Sequence, residues 1–160
     1  MNEKSRVLII GASGRIGKEI YKIFNVESNK NFFDIFGTFH SNPVTEFEKI
    51  DITDIDSVKN VINKIKPNII IHTAGLIHPL TCEENKELAW EINVIGTKNI
   101  LDCSREFKSK LVYISTDYVF DGKNNPYDEL DQPNPLNYYG QTKFESEKLI
   151  SSLDDYLIIR

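Results

Sequence analysis

The sequence predicts an α/β fold, a doubly wound parallel sheet with helices on both faces that ends at a sixth strand. Three observations carry the expectation. Short continuous apolar runs recur along the chain, stretches with apolar residues at helical spacing fill the intervals, and a glycine-rich turn joins the first run to the first helical stretch. Strands alternating with helices build βαβ units, whose crossovers make neighbouring strands parallel.

In residues 6–10, Val7, Leu8, Ile9 and Ile10 follow one another without a polar break and stop at Gly11, as a buried strand running into a turn does. From residue 14 to about 25, Ile16, Ile20, Ile23 and Phe24 recur at helical spacing. Residues 33–39 form a second strand candidate and residues 48–52 a short third. Ile55, Val58, Val61, Ile62 and Ile65 mark an amphipathic helix that stops before Pro67, because proline removes a donor and its ring clashes with the preceding turn. Residues 68–72 are the fourth strand. A long helical stretch is expected over residues 83–106, with Leu88, Ile92 and Ile95 on its apolar stripe, followed by a fifth strand at 111–115. Residues 121–137 are rich in Asp, Asn, Gly and Pro, and Pro126, Pro133 and Pro135 make them a surface loop. A last helix over 138–152 leads to the sixth strand at 156–159.

The 160 residues suit one nucleotide-binding domain, residues 1–160. A net charge of −5 offers no basic surface for nucleic acid or an anionic membrane. Cys82 and Cys103 make no disulfide framework, and His40, His72 and His78 lack metal-ligand spacing with them, so no metal site is expected. The apolar run near the start is too short for a signal peptide or a membrane span, and a reducing cytoplasm is the simplest home.

Gly11-Ala12-Ser13-Gly14-Arg15-Ile16-Gly17 follows a predicted strand and opens a predicted helix, the context that gives a glycine pattern meaning as a dinucleotide cradle. Gly11 permits the tight turn, Gly14 lets the backbone approach a pyrophosphate, and Gly17 lets helix and sheet pack closely, as in a Rossmann-type fold. The unpaired N–H groups and dipole of the helix then favour the anion.

Tyr139 and Lys143 stand four residues apart on a predicted helix and share a face, whereas Tyr138 points about 140° away from Lys143. A carbonyl reductase needs a proton donor, and a tyrosine that titrates at about 10 exchanges poorly at neutral pH unless a nearby ammonium lowers it. Lys143 is expected to supply that charge. Thr116, at the carboxyl end of the fifth strand, brings a hydroxyl to the edge where such sheets bind ligands.

The string Ser115-Thr-Asp-Tyr-Val-Phe-Asp-Gly122, the loop from Tyr127 to Pro135 and Tyr139-Gly-Gln-Thr-Lys143 closely resemble the extended short-chain dehydrogenase/reductases that make deoxysugar nucleotides, above all the dTDP-4-dehydrorhamnose reductase family. The resemblance runs from Val7 to Arg160. It implies that Tyr139 is the acid, that Lys143 lowers its pKa and holds the nicotinamide ribose, and that Thr116 hydrogen-bonds the substrate oxygen. The implied reaction carries hydride from a reduced nicotinamide to the C4 ketone of a nucleotide-linked 6-deoxy sugar. Asp51 and Ile52 resemble the adenine-contacting pair, Thr73-Ala74-Gly75 the stretch lining the cofactor, and Asn93 the structural asparagine of the next helix. For Asp51 a helix cap, and for Asn93 a helix-surface polar residue, remain alternatives. Tyr118 stands where sugar-nucleotide dehydratases carry glutamate, which disfavours dehydration. Ser146 stands where many relatives have glycine and reads as a surface or packing variation.

Sites selective for NAD place a carboxylate at the end of the second strand, where this sequence has Thr38-Phe-His-Ser-Asn42. Arg15, with His40, Ser41 and Asn42 nearby, suits the 2′-phosphate of NADPH, with NADH the alternative cofactor. Two other functions compete with the reductase: a regulatory subunit like the beta subunit of methionine adenosyltransferase, and a sugar-nucleotide epimerase, which the missing carboxylate disfavours. Relatives in the resembled family build much of the sugar-nucleotide site from residues after the sixth strand. The 160 residues alone are therefore expected to bind cofactor weakly and to turn over little sugar nucleotide, with a homo-oligomer or a complementing chain as possible partners.

Overall fold

The computed structural model describes residues 4–123 and 126–160, so Asn124 and Asn125 of the predicted loop lie outside the described residues. Along the chain run β1 (Ser5–Ile10), α1 (Arg15–Phe24), β2 (Phe33–Phe39), β3 (Glu48–Lys49), α2 (Ile55–Ile65), β4 (Ile69–His72), α3 (Pro79–Glu84), α4 (Lys86–Trp90), α5 (Gly96–Phe107), β5 (Lys110–Ile114), α6 (Tyr138–Ile150) and β6 (Tyr156–Ile159). The six strands form one sheet in the order β3-β2-β1-β4-β5-β6. Every pairing is parallel. The strand order reverses between β1 and β4, and the pairing of Ile10 with His72 brings Gly11 and Thr73 to the same carboxyl edge. Sheets of this kind bind ligands in the crevice at that reversal.

Because side chains alternate across a strand, each strand feeds two cores. Leu8, Ile10, Ile70, Leu111 and Tyr113 pack beneath α2, α5 and α6, while Val7, Ile9 and Ile71 meet Ile20, Tyr21 and Phe24 of α1 on the other face. Full burial of an isoleucine or leucine contributes about 2 kcal/mol relative to exposure. Helices therefore do cover both faces, α1 on one and three others opposite. Two residues of the expected α1 stripe, Ile16 and Ile23, instead face solvent, and Tyr21 packs beside Ile20 and Phe24 as the third contact. Lys66 ends α2 in the left-handed conformation, with φ 50°, directly before Pro67.

The long helix expected over 83–106 is in fact several pieces. Helical structure starts earlier, at Pro79, and breaks at Asn85, whose extended backbone (φ −134°, ψ 78°) ends α3 while its side chain accepts from Leu88 N and caps α4. A π-helical turn, Glu91–Ile95, then joins α4 to α5. At its centre the Asn93 carbonyl accepts from the hydroxyls of both Thr97 and Ser146. The buried face runs through Ala89, Asn93, Gly96 and Thr97, so Leu88 and Ile95 of the expected stripe point outward. Apolar spacing missed this because the inward residues are small or polar. The third strand is also shorter than expected, although Ile50 N still donates to Phe39 O at 2.9 Å.

After β5 a 3₁₀ turn, Asp117–Val119, leads into the predicted loop. Asp121 holds that loop, accepting from Tyr127 Oη at 2.7 Å and Asn134 Nδ2 at 2.9 Å. No helix among the described residues is long and apolar enough to cross a membrane.

Candidate functional site

The crevice begins at the end of β1. Gly11 has φ +88°, and a Cβ there would stand 2.8 Å from both Ala74 N and Thr73 Oγ1. At Gly17 a Cβ would run into the Gly11 carbonyl, so the close approach of α1 to the turn requires glycine. Hydroxyls from both neighbouring strands hold the turn. Thr38 Oγ1 accepts from Gly11 N at 3.0 Å, and Thr73 Oγ1 donates to Ile10 O at 2.9 Å. Gly14 is the N-cap of α1 and supplies no side-chain cap, which leaves the first N–H groups of the helix open to an anion.

Two cavities adjoin this turn. One, of about 370 Å³, is lined by Ser13, Gly14, Arg15, Ile16, Gly17 and Thr73 among others. The other, of about 330 Å³, is bounded by Thr38, Phe39, Asp51, Ile52 and Leu76 among others. Gly11, His40, Ser41, Ala74 and Gly75 line both. The structure thus brings together every expected cofactor-side residue except Asn93, Tyr139 and Lys143. Asp51 is not a helix cap; Asp54 caps α2, and Asp51 accepts from Thr53 N at 3.0 Å and Thr53 Oγ1 at 2.7 Å. The Thr53 hydroxyl, more than any other group, holds the Asp51 carboxyl below the usual carboxylate range.

Asn93 lies beneath the cavities, with 2% of its surface exposed, which rules out the helix-surface alternative. Its Oδ1 accepts from Leu76 N at 2.7 Å and its Nδ2 donates to Leu76 O at 3.0 Å and Thr142 Oγ1 at 2.9 Å. Asn93 therefore ties the cavity wall to α6, the helix that carries Tyr139 and Lys143. Ser146, fully buried, donates to the Asn93 and Thr142 carbonyls, a packing role rather than a surface one.

On α6, Asn137 accepts from Gly140 N at 2.8 Å and Glu83 Oε1 from Tyr138 N at 2.6 Å, which together fix the start of the helix. Tyr139 and Lys143 both turn inward, while Tyr138 sits under Lys86, its ring centroid 5.2 Å from the ammonium nitrogen. Thr116 ends the β5 segment, where its hydroxyl accepts from Tyr118 N at 3.2 Å. Burial pushes the Tyr139 hydroxyl above its ordinary pKa, an effect that its interaction with the Thr116 hydroxyl only partly offsets. Lys143 Nζ donates to Ile114 O at 2.8 Å and stands 3.9 Å above the centroid of the Tyr113 ring. Burial pushes its pKa down to about 7, against the opposing pull of Glu147. The expected lowering of Tyr139 by Lys143 is thus absent: both groups sit in dry surroundings that penalise their charged forms.

Sequence reading missed four supporting groups. Thr38 carries the turn, Glu83 caps α6, and Glu147, almost wholly buried, accepts from Ser115 Oγ and pairs with Arg160 through contacts of 2.8–3.2 Å. His72 lies under the same floor, with Nε2 3.0 Å from Thr97 Oγ1 and Nδ1 without a partner among the described residues. Burial holds the His72 ring neutral, with its pKa down to about 3. A polar residue in an apolar strand and a glutamate one turn beyond Lys143 were the available signals. No group of three or more His, Cys, Asp or Glu among the described residues could hold a metal.

A parallel sheet with a glycine-turn crevice at its reversal, with Thr116 after β5 and Tyr139 and Lys143 on one face of α6, defines the extended short-chain dehydrogenase/reductase class. Within that class the chain belongs to the RmlD substrate binding domain family, whose model matches residues 5–160. It is 40% identical over 145 residues to methionine adenosyltransferase 2 subunit beta of Danio rerio, a match covering 91% of this chain and 43% of the relative. A dTDP-4-dehydrorhamnose reductase of Aggregatibacter actinomycetemcomitans is 33% identical over 156 residues, 97% of this chain and 50% of that protein. The crystal structure of dTDP-4-dehydrorhamnose reductase from Bacillus anthracis in complex with NADP superimposes with a TM-score of 0.87 at 38% identity, over 100% of this chain and 54% of that one. The chain spans about half the length of these relatives.

Proposed function

We propose that this chain forms the cofactor half of an NADPH-dependent reductase acting on a nucleotide-linked 4-keto-6-deoxy sugar. One observation carries the reading: the Thr116 and Tyr139 hydroxyls meet at the carboxyl end of β5, with Lys143 one helical turn further along α6. The tight glycine turn, the uncapped start of α1 and the two adjoining cavities fit a nicotinamide dinucleotide. Gly14, Arg15 and Ile16 would hold its pyrophosphate, Asp51 and Ile52 its adenine, and Arg15 with Ser41 a 2′-phosphate. When bound and reduced, it supplies the hydride.

Tyr139 then donates its proton to the oxygen that becomes the alcohol, and Thr116 hydrogen-bonds the same oxygen. The upward shift of Tyr139 keeps that proton in place at neutral pH. Lys143, with its pKa near 7, exchanges protons readily there. In this reading the sugar-nucleotide half of the site comes from residues beyond these 160, on the same protein or a complementing chain. The test is reduction of dTDP-4-dehydrorhamnose by NADPH, with and without a reductase substrate domain supplied in trans or fused after Arg160. Turnover in the completed protein that Tyr139→Phe reduces at least 100-fold supports the reading; a completed protein that binds NADPH and turns over nothing overturns it.

A second reading is a regulatory subunit. The higher identity to methionine adenosyltransferase 2 subunit beta than to the Aggregatibacter reductase favours it. Specific binding to a methionine adenosyltransferase catalytic subunit by a protein with no reductase turnover would establish it.

A further inference from the structure

The junction of the two cavities contains an ionisable pair, His40 and Asp51, whose charges the reading above does not use. His40 directly follows β2, at the carboxyl edge where a doubly wound sheet receives the adenosine ribose. It lines both cavities, so it stands between the pocket beside Asp51 and the glycine cradle. Its Nε2 is 3.8 Å from Asp51 Oδ2, and its Nδ1 is 2.7 Å from Ser41 Oγ. A carboxylate on one side and a hydroxyl on the other thus orient the ring.

Resting on the dinucleotide reading, we propose that His40 reads the adenosine 2′-phosphate through its own protonation, so that preference for NADPH over NADH is strongest in acid and fades as pH rises. The charge pattern carries the argument. Among the described residues, the ionisable side chains lining the two cavities are Arg15, His40 and Asp51. Arg15 remains a cation at every accessible pH. Asp51, held by Thr53 and further favoured as the carboxylate by His40, remains an anion from weakly acidic pH upward. These two fixed charges oppose each other, and His40 decides the balance. Histidine is the side chain whose charge ordinarily changes between pH 5 and 8.

Protonated, His40 screens the Asp51 carboxylate and offers a charge-assisted hydrogen bond to a phosphate oxygen. Neutral, it leaves that carboxylate facing an incoming dianion. A 2′-hydroxyl has no charge and loses nothing by the change. The sign separates this device from the ligand's own titration. A phosphate monoester loses its second proton near pH 6 and becomes more negative as pH rises, which strengthens its attraction to a fixed cation such as Arg15. That ionisation acts alike on the wild type and on a variant without His40, so a fall confined to the wild type marks loss of the His40 cation.

Dissociation constants of NADPH and NADH for the 160-residue chain, measured by calorimetry from pH 5.5 to 8.5, test the proposal in the wild type and in His40→Gln. His40 is exposed, so the variant keeps its fold. In the wild type the preference for NADPH should fall about tenfold across this range, the equivalent of one charge-assisted hydrogen bond. In His40→Gln it should stay flat or rise. A constant or rising wild-type preference overturns the role of His40 while leaving the dinucleotide site standing, as does an equal fall in both proteins. Failure of either cofactor to bind at any pH overturns the dinucleotide reading and this inference with it.

Discussion

Around the glycine turn, positioning falls to neutral groups: two threonine hydroxyls, backbone amides and the absence of side chains at Gly11 and Gly17. At the end of β5, ionisable groups are packed out of water instead: Lys143 over the Tyr113 ring, Tyr139 beside Thr116, and Glu147 clamped by Ser115 and Arg160. The first region offers a shape and a dipole whose strength hardly changes with pH. The second stores electrostatic cost, which favours the uncharged forms of Tyr139 and Lys143 and lowers stability in doing so. Positioning of the turn is thus left to polar but uncharged groups, whereas the end of β5 relies on buried ionisable ones.

The contrast predicts where stability is lost. Glu147→Gln should give the largest effect, about 3 kcal/mol of destabilisation in urea unfolding, because it strips Arg160 of its partner in a mostly buried pair. Arg160 retains a quarter of its side-chain exposure, which keeps the cost at the low end for such pairs. Lys143→Met should act in the opposite direction and stabilise the fold at neutral pH by on the order of 2 kcal/mol, while abolishing any turnover.

The pH dependence follows from the same lysine. Its folded pKa, about 7, lies below its unfolded value, so the unfolded chain binds more protons between the two. Its contribution to stability should therefore rise with pH from about 7 to about 10 and level off above, a component that Lys143→Met removes from the unfolding curve. The smallest change is expected at the turn. Thr38→Val keeps the side-chain shape but deprives Gly11 N of its acceptor, at a cost of about 1 kcal/mol that does not vary with pH. A change there as large and as pH-dependent as the one at Lys143 would erase the distinction between the two regions.

What the sequence made legible divides along similar lines. The glycine turn, the strand runs and the pairing of Tyr139 with Lys143 are local patterns, set by spacing within a few residues. Thr38, Asn93 and Glu147 act through partners 13 to 49 residues away, at Gly11, Thr142 and Arg160, and spacing carries no trace of such contacts. The break at Asn85 and the π turn after Trp90 escaped notice because polar ligands, not apolar periodicity, shape that segment. That Tyr139 and Lys143 share a face of one helix was readable; the direction of their proton affinities was not, since desolvation depends on the finished packing.

The tie that Asn93 makes between Leu76 and Thr142 has a consequence for how this family diverges. A relative that catalyses nothing would still draw on Asn93, Thr142 and Ser146, because their hydrogen bonds tie the cavity wall to α6. Their retention in any such relative would attest to an intact scaffold and say nothing about turnover. The Thr116 and Tyr139 hydroxyls carry no comparable architectural burden, so their loss would be the first legible sign that a lineage had changed occupation.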